Sequence, residues 1–96
     1  MIFDWDDAKS ARCLLERGFG FDHAARIFAG PVLERIDRRK EYGELRIQAI
    51  GKIDGCLYFV CFTDRVVDGE SVRWIISARR AHEKELPQWL GNRWTT

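Results

Sequence analysis

Near the end of the 96-residue chain the apolar stretch Trp74-Ile75-Ile76-Ser77-Ala78 runs directly into Arg79 and Arg80, with His82 and Glu85 close behind. Guanidinium groups are planar, forked donors that suit phosphate oxygens. Imidazole exchanges a proton near neutral pH. Such groups at the end of a strand can hold an anion and stabilise charge that develops on it. Residues of the same types stand earlier in the chain as Tyr42, Glu44 and Arg46, followed by Arg65. Arg46, Arg65, Arg79 and Arg80 are therefore candidates for stabilising a phosphate. His82 and Glu44 are candidates for proton transfer, with Tyr42 and Glu85 as further ones. His23, in the first half, reads as a solvent-facing or capping residue.

The net charge of +1 conceals an uneven distribution. Residues 1–34 hold four basic and six acidic side chains, residues 35–80 hold ten and seven, and residues 81–96 balance. Twelve of the sixteen cations are arginine, which favours a local anion site over general attraction to a duplex. Cys13, Cys56 and Cys61 are odd in number and form no CxxC pair, so reduced thiols are expected rather than a disulfide or a metal site. No carboxylate cluster has metal-site spacing, and no cofactor motif is present. No stretch reaches transmembrane length, and three aspartates among the first seven residues are unlike a signal peptide. A soluble cytoplasmic protein is expected.

At this length, with 46% apolar residues, one domain spanning residues 1–96 is expected. Asp6 or Asp4 caps a first helix along Ala8, Ala11, Leu14 and Leu15, which ends at Gly18. A second, capped by Asp22, carries Phe21, Ala24, Ala25 and Phe28 and stops at Gly30-Pro31. Strands are expected over residues 32–37, from Glu44 onward, over 57–63 and over 72–78, with turns at 51–55 and 67–70. A final helix begins at about Arg80 and closes at Gly91. The predicted class is α+β: two N-terminal helices, a four-stranded antiparallel sheet and a C-terminal helix. One sheet face is left open, bearing Glu44, Arg46, Gln48, Arg73, Ser77 and Arg79, a plausible floor for a phosphate backbone.

In this order and spacing the motifs resemble a known family. The opening Phe3-Asp4-Trp5-Asp6 with Lys9, the helix Phe21/Ala24/Ala25/Phe28, and Tyr42-Gly43-Glu44 with Arg46 each match. So do Phe62-Thr63-Asp64-Arg65 and Ile75-Ile76-Ser77-Ala78-Arg79-Arg80-Ala81 with Glu85. The chain resembles the BrnT toxins, ribonuclease halves of bacterial type II toxin–antitoxin pairs, with a RelE-like fold. Three departures stand out: Glu16-Arg17-Gly18 replaces the usual Lys-His-Gly, Trp89 replaces a tyrosine, and Pro87 interrupts the last helix.

The resemblance implies an endoribonuclease that inhibits translation, and the lack of a carboxylate cluster at metal-site spacing points to a metal-independent one. It also implies a cognate antitoxin (BrnA-like) in a 2:2 complex that binds operator DNA through the antitoxin. On this reading Arg73, Tyr42, Lys9, Glu85 and Trp89 contact RNA beside the catalytic candidates. The alternative is a catalytically inactive, toxin-like interaction module acting as antitoxin partner or corepressor.

Overall fold

The computed structural model describes residues 1–89. Gly91 and Trp94, where the sequence places a helix end and a late aromatic, lie outside the described residues. Strand β1 (Ile2–Trp5) leads into helix α1 (Asp7–Arg17), the single-turn helix α2 (Phe21–Ala24) and a 3-10 helix over Ala25–Ala29. Strands β2 (Val32–Ile36), β3 (Ile47–Ile53), β4 (Cys56–Val67) and β5 (Glu70–Arg80) follow, and a second 3-10 helix covers Glu83–Trp89.

The sheet has five strands in the order β1-β5-β4-β3-β2. Strand β1 runs parallel to β5, with Ile2 opposite Val72 and Trp5 opposite Ile75, and every other pair is antiparallel. This corrects the predicted four-stranded antiparallel sheet with two N-terminal helices and a C-terminal helix. The missed strand has period-two alternation, with Phe3 and Trp5 half-buried and Ile2 and Asp4 exposed. It is only four residues long and pairs with a strand some seventy positions later. No local turn signal announces such a pairing.

The helices also differ from expectation. Asp6 does cap α1, its carboxylate accepting the Lys9 N–H at 3.1 Å. Gly18, at φ +85°, closes the helix by donating to the Leu14 carbonyl at 3.0 Å. Yet α1 buries Cys13 and leaves Leu14 and Leu15 56% and 87% exposed, so the expected apolar stripe is not its packed face. The second helix is one α turn that tightens into a 3-10 helix. It is pinned at its start by Ser10 Oγ, which accepts the Phe21 N–H at 2.9 Å. The predicted C-terminal α-helix is the 3-10 helix Glu83–Trp89, with Pro87 inside it. Proline supplies no N–H for an α-helical ladder.

Turns between strands are shorter than predicted. Asp54-Gly55 and Asp68-Gly69 all have positive φ and form two-residue connections of the kind that match strand twist. Gly51, expected in a turn, lies inside β3. A β-carbon there would stand 2.9 Å from Val32 Cγ1 and 3.0 Å from Ile27 Cβ, so glycine lets the 3-10 helix Ala25–Ala29 rest directly on the strand.

Apolar residues on both faces of the sheet make two cores. On the helix side Phe21, Ala24, Ile27, Ala49, Val60, Phe62 and Ile75 pack together. On the opposite side Leu33, Ile50, Leu57, Phe59 and Cys61 receive Trp89 and Leu86 from the C-terminal segment. The face expected to lie open is therefore covered in part by residues 83–89.

An irregularity decides where the arginines of β5 point. Cys61 pairs with Ser77 and Phe62 with Ile75, so β5 carries one extra residue, Ile76, across that step. A bulge of this kind flips the alternation beyond it. Arg73 and Ile75 join the helix face, while Ser77 and Arg79 join the other. Alternation in the sequence alone puts Arg73, Ser77 and Arg79 on one face.

Candidate active site

The candidate residues fall into three places. The first is the loop of residues 37–46 and the adjoining part of β4. Arg46 Nε donates to Glu44 Oε2 at 3.1 Å, and Arg65 Nη2 reaches Glu44 Oε1 at 3.5 Å. The Arg46 guanidinium lies 4.0 Å from the centre of the Tyr42 ring, and Lys40 Nζ lies 5.2 Å from it. Arg65 stacks on Trp74 at 4.8 Å.

The loop is held by Asp37, whose side chain has no exposed surface although exposed Arg39 covers it. Its carboxylate accepts from Arg39 Nη2 at 2.7 Å and Nε at 2.9 Å, from the Arg39 N–H at 3.2 Å and from Tyr42 Oη at 3.3 Å. These donors, the Arg39 guanidinium above all, hold the Asp37 carboxyl well below the usual carboxylate range. Cys61 Sγ lies 3.8 Å from the same carboxylate, and burial pushes its thiol up.

The second place is the junction of β5 with the C-terminal segment. Arg79 grips Glu85 with two bonds, Nη2 to Oε1 at 2.9 Å and Nη1 to Oε2 at 3.2 Å, while lying 4.4 Å over the Phe59 ring. Glu85 also accepts the His82 N–H at 2.9 Å. Arg79 first and the His82 N–H second lower the Glu85 carboxyl below its ordinary value. Glu85 thus ties the C-terminal segment to Arg79. The His82 side chain is exposed, and only its backbone joins this cluster. Trp89 is 2% exposed, set edge-on to Phe59 at 6.4 Å with the Arg35 guanidinium 3.9 Å over its ring. Along β4, Phe59 (opposite Arg79) and Arg65 are six residues apart, on the order of 20 Å, so the first two groups do not share one phosphate.

A consequence for acid stability follows from these two carboxylates. Both have folded-state pKa values depressed below the unfolded ones, so their stabilisation is present above the ordinary carboxylate range and is lost as pH falls through it and below. Urea unfolding midpoints should be level at neutral pH and fall progressively below about pH 4. The acid-side fall should be smaller in Arg79→Ala, which has already lost the Glu85 contribution. An acid limb unchanged in that variant would show the Glu85 contact to be energetically silent.

The third place is on the helix face. Adjacent strand residues point oppositely, so Arg80 leaves Arg79 and lies over the Tyr58 ring at 5.2 Å. His23 Nε2 is 3.2 Å from Tyr58 Oη, and Phe19 meets Tyr58 edge-on at 5.0 Å. Together with Leu14, Arg17, Gly18, Gly20 and Asp22 these residues line a cleft of about 350 Å³. Arg17 Nη1 donates to the Ala78 carbonyl at 3.4 Å from its rim. Arg46, Arg65, Arg73 and Arg79 are all paired with carboxylates, whereas Arg80 has no ion-pair partner among the described residues.

The remaining candidates lie elsewhere. Arg73 grips Asp64 at 2.8 and 2.9 Å and covers the Phe62 and Phe28 rings at 4.1 and 4.7 Å. Lys9 sits on α1, lining a shallow hollow with Arg12, Glu16 and Arg17. A larger hollow of about 540 Å³ beneath Met1, Phe3 and Phe28 is mostly apolar. Among the described residues no group of three or more His, Cys, Asp or Glu side chains could hold a metal ion. No helix of the described residues is long and apolar enough to cross a membrane.

Sequence reasoning did not connect His23 with Tyr58. They are thirty-five positions apart, and Tyr58 sits in an apolar run that reads as core. A polar histidine beside Phe21 and Ala24 on a one-turn helix was the available signal.

Comparison with known proteins completes the description. Residues 5–85 match the model of a family described as "Ribonuclease toxin, BrnT, of type II toxin-antitoxin system". No curated protein shows a significant match to the chain.

Proposed function

Because the chain belongs to the BrnT ribonuclease toxins of type II toxin–antitoxin systems, we propose that it cuts RNA without a divalent metal and so inhibits translation. Family membership brings an RNA target and an antitoxin partner. The finer reading is that the antitoxin neutralises the toxin in the cytoplasm, in a 2:2 complex that reaches operator DNA through the antitoxin.

The observation that carries the catalytic reading is the cleft of Arg80. A guanidinium without a carboxylate partner among the described residues stands there beside Arg17, a histidine and a tyrosine. RNA cleavage by transesterification needs the 2′-hydroxyl to lose a proton and the phosphorus to be attacked in line. The charge that grows on the non-bridging oxygens must also be stabilised. Arg80 and Arg17 supply cationic donors for that charge. Arg46 and Lys40 around Tyr42, with Arg65 reaching Glu44 beside Arg46, form a second cationic surface, suited to binding the RNA backbone away from the scissile bond.

The rival reading, an inactive interaction module, draws on a specific observation: four of the candidate arginines already spend their charge on carboxylates. Purified, partner-free protein incubated with RNA in excess EDTA separates the two readings. Cleavage that leaves 5′-hydroxyl ends is the expected result. Intact RNA from protein shown to be folded would favour the interaction module instead.

A further inference from the structure

His23 and Tyr58 have a place in this chemistry that neither motif nor spacing assigned to them. His23 stands on the one-turn helix α2, and Tyr58 near the start of β4, so the tertiary fold alone joins them. Their polar atoms are 3.2 Å apart, and the rings meet edge-on with centres 5.4 Å apart. Tyr58 is 6% exposed, clamped between the Phe19 ring and the Arg80 guanidinium, which fixes its hydroxyl at the wall of the cleft. On the other side of the imidazole, Arg26 Nη1 lies 3.5 Å from Nδ1. Cation, hydroxyl and imidazole thus converge on one open cleft. No other cavity described above has a histidine and a tyrosine in its wall.

Resting on the ribonuclease reading, we infer that Tyr58 and His23 together accept the proton of the attacking 2′-hydroxyl, with Tyr58 Oη the atom that touches the substrate. The phosphate lies against Arg80 and Arg17. As the 2′-oxygen forms its bond to phosphorus, its proton passes to Tyr58 Oη, and the Tyr58 proton passes to His23 Nε2. The accepting imidazole is the tautomer protonated on Nδ1, so the Arg26 guanidinium, which only donates, leaves Nδ1 for Asp54, 3.6 Å from its Nη2. The P–O5′ bond breaks, and the leaving 5′-oxygen takes a proton from water. The imidazolium then releases its proton to solvent, which restores both groups and balances the step. The products are a 2′,3′-cyclic phosphate and a 5′-hydroxyl. Tyr58 is a catalytic residue in this scheme, and His23 acts through it.

The test uses the full chain, a fluorescent RNA oligonucleotide containing all four bases, and EDTA throughout. Tyr58→Phe removes one oxygen and keeps the packed ring. It should lower kcat about 100-fold, the lower end of what a positioned proton acceptor supplies, with KM nearly unchanged. His23→Ala should lower kcat comparably and recover in part on adding free imidazole.

The groups around the imidazole are Arg26 and Asp22 from the helical segment, Arg17 and Phe19 from α1 and its exit, Tyr58 from β4 and Arg80 from β5. A histidine that merely joined helix to sheet would change stability in these variants without imidazole rescue of the rate. Wild-type cleavage together with undiminished cleavage by folded Tyr58→Phe overturns this inference and leaves the ribonuclease reading standing. Absence of cleavage by the folded wild-type protein overturns both.

Discussion

Alanine at Arg80 should lower the rate of RNA cleavage about 100-fold, while the urea unfolding midpoint stays near that of the wild type. The rate effect follows from removing one charge-bearing donor from a site where negative charge grows on phosphate oxygens, which is worth roughly 3 kcal/mol of barrier. The small stability effect follows from what Arg80 does in the folded protein. Its side chain belongs to an exposed residue, has no ion-pair partner among the described residues and makes one ring contact, with Tyr58. An exposed cation–π contact contributes about 0.5–1 kcal/mol. Steady-state cleavage of a fluorescent RNA, set beside urea unfolding of the same preparations, reads both quantities. A rate within threefold of wild type would remove Arg80 from the catalytic account.

Phe62→Ala should cost about 3–5 kcal/mol of stability, the usual range for emptying a buried aromatic site. Phe62 has no exposed surface and sits on the helix side of β4 immediately after the bulge. The Phe28 ring meets it edge-on at 5.2 Å, and the Arg73 guanidinium lies 4.1 Å over it while gripping Asp64. Its removal leaves a cavity bordered by a guanidinium that keeps only the Phe28 ring as an apolar seat, so collapse around the site is hindered. Small domains carry only about 5–15 kcal/mol of net stability, and this variant should lose a large part of it. Urea unfolding followed by tryptophan fluorescence would measure the shift, with the slope of the transition unchanged. A loss below about 1 kcal/mol would mean that the helical layer closes over the gap.

What could be read from the sequence had local causes. Asp6 as a cap and Gly18 as a helix end are decided within a few residues and stand where the sequence puts them, and the Asp-Gly pairs turn inside the expected turn regions, though more tightly. Alternation through Ile47, Gln48 and Ala49 is likewise visible in the chain and in β3, where Ile47 and Ala49 both join the helix-side core. The fifth strand was not legible, because β1 is short and its partner lies at the far end of the chain. Nor was the bulge at Ile76, which places Arg73 and Arg79 on opposite faces through a mismatch between two strands rather than a feature of either.

The same limit applies to the site. The pair Arg79-Arg80 was recognisable as unusual, but its division of labour was not. Strand alternation sends Arg79 to Glu85 and Phe59, where it fastens the C-terminal segment, and Arg80 to Tyr58 and His23. Trp89 shows the converse. Its position near a polar chain end left a surface role open, yet it fills the second core beneath Arg35.

On the proposed mechanism the helix-face cleft at Arg80, and not the carboxylate-paired Arg79 on the other face, holds the scissile phosphate. Initial rates of RNA cleavage by Arg79→Ala and Arg80→Ala, measured in parallel in EDTA on protein of verified fold, test it most directly. Arg79→Ala should cleave at nearly the wild-type rate, and Arg80→Ala about 100-fold more slowly. Loss confined to Arg79→Ala, with Arg80→Ala still active, would contradict it and move the reaction to the opposite side of the sheet.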